Sequence, residues 1–121
     1  CVLCALQEQH LELAAATTLH FQAILQRNPC EMAAELGLAQ AANVMGDRAT
    51  ALEHLRRAAT FQRRHVFYRE QLGIQLRRMG RTEEALEVFR KNVADAIATD
   101  ISRLNIRQLE RELAKKAAAE P

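Results

Sequence analysis

The chain has 121 residues, 26% of them charged, with a formal net charge of +2, which suits one domain with a modest core. Four Gly, two Pro and only 4% aromatic residues, in a chain dominated by Ala, Leu, Gln, Glu and Arg, make the composition that of an all-helical protein. So small a charge does not by itself point to nucleic acid, and no apolar run approaches the roughly 20 residues that span a bilayer.

No secretory succession of basic, apolar and small residues opens the chain. It begins with Cys1 rather than Met, so it reads as a fragment or a processed product. Three cysteines are an odd set for a disulfide framework, and a reducing, cytoplasmic setting is expected.

Residues 1–11, CVLCALQEQHL, have helical character with Val2, Leu3, Leu6 and His10 on one side. No breaker separates them from Leu13 to Arg27, where Ala14, Thr17, Phe21, Ile24 and Leu25 recur at helical spacing. The two stretches form either a tight hairpin or one long helix. Asn28-Pro29 ends them, because Pro cannot continue the hydrogen-bond ladder and disfavours helix in the residue before it.

Met32 to Met45 is the next predicted helix, with Gly46 at the turn and Asp47 as N-cap of a helix over Arg48 to Gln62. The packing stripe of that helix is Ala51, Leu52, Leu55, Ala58 and Ala59. A helix from about Phe67 to Met79, a turn at Gly80 and a helix capped by Thr82, with Glu83 and Glu84 in its first turn, repeat the plan. Asp100 is expected to cap a last helix to about Ala118, with Ile106, Leu109 and Leu113 on one stripe.

The repetition has a fixed period. MGDRATALEHLRR, Met45 to Arg57, returns 34 residues later as MGRTEEALEVFRK, Met79 to Lys91. Met45-Gly46 becomes Met79-Gly80, Ala51-Leu52-Glu53 becomes Ala85-Leu86-Glu87, and Leu55 becomes Phe89. Fixed self-similarity of this length marks a stack of supersecondary repeats.

These residues resemble the tetratricopeptide repeat (TPR) family, whose pattern sets Leu-Gly, a large residue, Ala, an aromatic and Pro at fixed offsets. Repeat three supplies Leu72-Gly73, Leu76, Ala85 and Phe89; repeat two supplies Leu38-Ala39, Ala42, Ala51 and Leu55. One period earlier, Thr17, Phe21 and Pro29 take the Ala, aromatic and Pro slots. Two departures stand out: Glu35 and Arg69 replace the aromatic that usually opens the first helix, and Glu12 stands at the turn-glycine slot. The resemblance implies an all-α, TPR-type helical-hairpin solenoid in a single domain. It would comprise a degenerate or truncated first repeat (1–31), full repeats at 32–65 and 66–99, and a capping helix at 100–119.

Candidate chemistry is sparse. Cys1-x-x-Cys4 with His10 and His20 lacks zinc-ligand spacing, and Cys30 is a loop thiol with no base beside it. His20, His54 and His65 read as surface residues on or beside the second helices. No phosphate loop or nucleophile elbow occurs, so no cofactor, metal or catalysis is expected. The many arginines alternate with glutamates at helical spacing, which suggests an ion-paired surface rather than an RNA-reading one.

By resemblance, the first helix of each repeat lines a concave groove that binds a peptide or helix of a protein partner. The expected groove positions are Ala33, Leu36, Gln40, Asn43 and Val44 in repeat two, and Phe67, Glu70, Ile74, Arg77 and Arg78 in repeat three. Leu36–Gln40–Asn43 and Glu70–Ile74–Arg77 each follow i, i+4, i+7 on one helix face. Gln40 and Asn43 would read a peptide backbone, and Arg77 and Arg78 would pair with carboxylates. The family's carboxylate-clamp branch keeps Asn where Leu6, Gln40 and Ile74 stand here, so that mode of chaperone-tail binding is disfavoured. The alternatives are an accessory domain of a larger enzyme, and a homodimer formed through residues 101–118.

Overall fold

The computed structural model describes residues 2–120. Its elements are α1 (Val2–Arg27), α2 (Met32–Val44), α3 (Arg48–Phe61), α4 (Val66–Arg78), α5 (Thr82–Ala94) and α6 (Asp100–Ala119), with no strand among the described residues. Helices α2, α4 and α6 start at residues 32, 66 and 100, and α3 and α5 at 48 and 82. The 34-residue sequence period is therefore also the period of the helix starts, and α6 takes the place of a first helix in a further repeat.

Where the chain turns within a repeat depends on a glycine. Gly46 and Gly80 adopt φ of 80° and 76°, in the left-handed region that side chains disfavour. The amide of the next residue then reaches back into the preceding helix, Asp47 to the Ala42 carbonyl and Arg81 to the Leu76 carbonyl, both at 2.9 Å. Open space surrounds both glycines, so backbone conformation alone selects them.

Glu12 and Ala114 occupy the same register slot, and there α1 and α6 run straight on. The open question at residues 1–27 is thereby answered: α1 is a single helix of 26 residues. The same closing geometry recurs after α5, where Ala96 takes φ 59° and the Ile97 amide donates to the Asn92 carbonyl at 3.0 Å.

The chain forms two compact units, Cys1–Gln62 and Arg63–Pro121. In the first, α2 packs against both α1 and α3. Small buried residues (Ala34, Ala39, Ala42, Ala51, Ala58) let these helices approach closely, and Leu38, Leu52 and Leu55 fill the layers between. The Phe21 ring lies directly against Gly37, where a Cβ would collide with it. In the second unit α5 packs between α4 and α6. Phe89, Leu76 and Leu109 are its largest buried apolar side chains, and Phe89 covers Gly73.

The slots where the opening aromatic is replaced are buried too, and each charge there has a partner. Glu35 accepts from His54 Nδ1 at 2.6 Å, with Arg57 at 4.0 Å. Arg69 pairs with Asp95 at 2.9 Å and donates to the Arg63 carbonyl at 3.2 Å. In each unit the slot of the usual opening aromatic thus holds a buried charged side chain satisfied by hydrogen bonds from the same unit, and leaving it without them is costly.

The helix caps agree with the sequence at one place and differ at two. Asp47 caps α3, accepting from the Thr50 amide at 3.1 Å and the Thr50 hydroxyl at 2.6 Å. The hydroxyl bond first, then the amide bond, holds the Asp47 carboxyl below its ordinary range. Thr82 is instead the first residue of α5, and Arg81, which clamps Glu84, is the N-cap. Thr99 rather than Asp100 caps α6, because the Thr99 hydroxyl accepts from the Ile101 amide at 3.2 Å.

Candidate functional site

α2 has two contrasting sides. Met32, Ala34, Glu35, Gly37, Leu38, Ala39, Ala41 and Ala42 are buried and fix the helix in its unit. On the other side Ala33, Gln40 and Val44 are exposed, and Leu36 and Asn43 are half-buried. All five expected groove residues of repeat two therefore share one accessible face. That face is uncharged, with two amides set among apolar side chains and held on a helix rather than a loop.

The expected positions of repeat three divide. Phe67 and Arg78 are exposed, and Ile74 is half-buried. Phe67 belongs to an aromatic group at the start of α4: Tyr68 lies 5.7 Å from it and 4.9 Å from His65, centroid to centroid. Edge and tilted ring packing of this kind stiffens an exposed anchor. Only Phe67 was visible from the groove register; His65 and Tyr68 join it because the chain enters α4 there.

Two residues expected on an open face are engaged within their own unit, Glu70 buried and Arg77 half-buried. Glu70 is 4% exposed, and its Oε2 accepts from the Thr99 hydroxyl at 2.6 Å and the Ser102 hydroxyl at 2.7 Å. Asn92 extends the network by donating to Ser102 Oγ at 3.2 Å. Arg77 donates to Asn105 Oδ1 at 2.9 Å, Gln108 Oε1 at 2.7 Å and Glu112 Oε1 at 2.6 Å. Helix α6 has taken both side chains. One period downstream of α4, it lies where the next first helix would, and its polar side faces α4.

That side differs from the expected stripe of Ile106, Leu109 and Leu113. The buried residues of α6 are Ser102, Asn105 and Leu109, at helical spacing of 3 and 4. Two polar residues on a buried stripe were the available signal. Ile106 and Leu113 are half-buried and Leu109 is fully buried, while Ile101 and Leu104 of the same helix are exposed.

Other sequence candidates are placed as follows. Cys1 lies outside the described residues, and Cys4 and Cys30 are exposed. His20 and His65 are exposed, whereas His54 is half-buried on Glu35 instead of being a plain surface histidine. A 440 Å³ cleft lies between the first turn of α5 and the end of α6. Its acids and bases include Glu84 and Arg81, which are clamped to each other. Among the described residues no helix is long and apolar enough to cross a membrane, and no group of His, Cys, Asp and Glu could hold a metal ion.

This arrangement of paired helices has a counterpart among solved structures. The structure matches the crystal structure of the Sgt2 TPR domain from Aspergillus fumigatus with a TM-score of 0.70, over 95% of this chain and 84% of that one. The fold is the TPR fold. Sequence identity in the match is 16%, so the likeness is one of architecture. No family model matches the chain, and no curated protein matches it by sequence.

Proposed function

We propose that this TPR-fold chain is a non-catalytic protein–protein interaction module that holds a peptide or helix of a partner protein on the exposed faces of its repeat-opening helices. The observation that carries this reading is the α2 face, where Gln40 and Asn43 stand among Ala33, Leu36 and Val44. The Gln40 side-chain amide offers both a donor and an acceptor to a peptide backbone, and the apolar neighbours offer seats for its side chains. An uncharged face of this kind suits a segment with apolar anchors better than a charged tail. In the second unit, described by itself, Phe67 is exposed and braced by Tyr68 and His65.

The non-catalytic part of the reading is supported by how the polar side chains are used. Glu35 and His54 close on each other, Glu70 serves two hydroxyls, and Arg77 serves three acceptors. Groups so committed hold the fold together and are not free to move a substrate's protons.

The test is selection of binding peptides from a displayed random library, followed by titration calorimetry. Replacing Gln40→Ala together with Val44→Asp should weaken a selected peptide about tenfold or more, the effect expected of a central contact. Glu53→Ala, on the exposed side of α3, should leave affinity unchanged. Equal affinity for the wild type and the α2 double variant would remove the proposal.

A further inference from the structure

The charged side chains of α6 are sorted by sign. Each of its acids is already paired, Asp100 with Arg103 at 3.5 Å, Glu110 with Arg90 at 3.1 Å and Glu112 with Arg77 at 2.6 Å. The last two pairs turn their acids towards α5 and α4. Arg107, Arg111 and Lys115 are exposed, and among the described residues none of them has an acidic partner. They lie one turn apart on the side of α6 where Ile101 and Leu104 are each 51% exposed. Ile101, Leu104, Gln108, Arg111 and Lys115 follow one another at spacings of 3, 4, 3 and 4, the seam spacing of paired helices. The seam begins apolar and ends basic.

This side is not shaped to be covered as the earlier first helices are. Arg107 stands one period after Gly73 and two periods after Ala39, both buried. Gly73 offers bare backbone to the Phe89 ring of α5, whereas α6 offers a guanidinium on a long stem. A helix set on α6 as α5 is set on α4 would bury Arg107 without a partner, at high cost.

We propose that this side of α6 docks an acidic amphipathic helix of a partner protein, with its apolar residues on Ile101 and Leu104 and its carboxylates on Arg107, Arg111 and Lys115. The surface goes beyond the α2 face and uses none of its residues. Carboxylates four residues apart on a partner helix recur at the same rise of about 6 Å that separates the three cations, so the pairs form in step along both helices. A phosphate backbone would meet the cations and leave Ile101 and Leu104 in water. Two apolar side chains are too few to seat α6 in a membrane surface. A second copy of α6 brings no unpaired acid, so cation would meet cation.

Exposed ion pairs are individually weak and screened by salt, so the complex is of modest affinity and salt-dependent. The probe is a fluorescent designed helical peptide of about 18 residues, with Leu at two successive seam positions and Glu at those that follow. Its anisotropy is read as the full chain is added. A scrambled peptide of the same composition, oligouridylate and phosphatidylserine vesicles are run beside it. The designed peptide should bind with a dissociation constant between about 10 μM and 1 mM, several-fold tighter than the scrambled one. Binding should weaken as salt rises from about 0.05 to 0.3 M.

Arg107→Glu with Arg111→Glu should weaken binding about tenfold or more, and Leu104→Ala about threefold or more, with helix content by circular dichroism unchanged. Arg56→Glu, at an exposed arginine of α3, should leave it unchanged. So should Gln40→Ala with Val44→Asp, which separates this surface from the α2 face. Equal binding of the scrambled peptide, indifference to Leu104→Ala, an Arg56→Glu effect as large as that of the α6 pair, tighter binding of oligouridylate or vesicles, or no saturation by about 1 mM would each overturn the proposal.

Discussion

Gly73→Ala tests how the 34-residue register sets the packing of the second unit. A Cβ at Gly73 would sit 2.6 Å from Cζ and 2.8 Å from Cε2 of Phe89, a ring with no exposed surface and therefore little freedom to retreat. Overpacking of this kind costs about 1–3 kcal/mol. Alanine's better helix propensity returns about 0.8–1 kcal/mol, leaving a net loss of about 1 kcal/mol. Phe89→Leu alone opens a cavity and should cost about 1–2 kcal/mol, scaled down from the about 3–5 kcal/mol of Phe→Ala. One period earlier the same two slots hold Ala39 and Leu55, both buried. The double variant rebuilds that pair in the second unit, so its cost should fall to about 0–1 kcal/mol, well below the sum of the single changes. Urea denaturation followed by circular dichroism gives all four corners of the cycle. Strict additivity, within about 0.5 kcal/mol, would show that residues in equivalent slots do not set each other's size and would refute the register argument.

Four further outcomes follow from named contacts and backbone angles. Arg77→Ala removes the donor to Asn105, Gln108 and Glu112, and should cost about 2 kcal/mol and speed amide hydrogen exchange in α6 more than in α4. Gly46→Ala forces a side chain into a left-handed conformation and should cost about 1 kcal/mol in thermal denaturation, while Ala96→Gly, relieving the same strain after α5, should add about 0.5 kcal/mol. The Asp47 carboxyl is lowered by its bonds to Thr50, so its contribution is present above the unfolded pKa and disappears as pH falls through the lower folded value. The wild type should therefore lose more stability than Asp47→Asn between about pH 5 and pH 3, as the carboxylate of ordinary pKa about 3.9 is protonated.

The repeat plan was legible because each of its signals is local. Met-Gly at residues 45–46 and 79–80, the small-residue crossing slots and the Asp47 cap lie within a few residues of the structure they determine. The straightness of α1 was half legible. Glu12 at the turn slot was visible, but one missing glycine does not by itself decide between a strained hairpin and a helix left uncovered. The misplaced caps arose where two candidates are adjacent: Thr99 outranks Asp100 because its hydroxyl is also held by Glu70, a contact across 29 residues.

Long-range polar partners account for the remaining differences. Glu70 and Arg77 occupy groove positions by register, and only the docking of α6 shows that Ser102, Asn105, Gln108 and Glu112 claim them. His54 looked like a surface residue because the buried Glu35 that binds it lies 19 residues away. Apolar periodicity records which side of a helix is covered. It does not record which polar side chains are covered with it.

The central functional claim is that the uncharged face of α2 receives a partner's peptide. Its most direct test is an amide chemical-shift titration of the full chain with a library-selected peptide. The largest changes should fall on residues 33, 36, 40, 43 and 44. Changes confined to the outer side of α3 or α5, with residues 33–44 unmoved, would contradict the account.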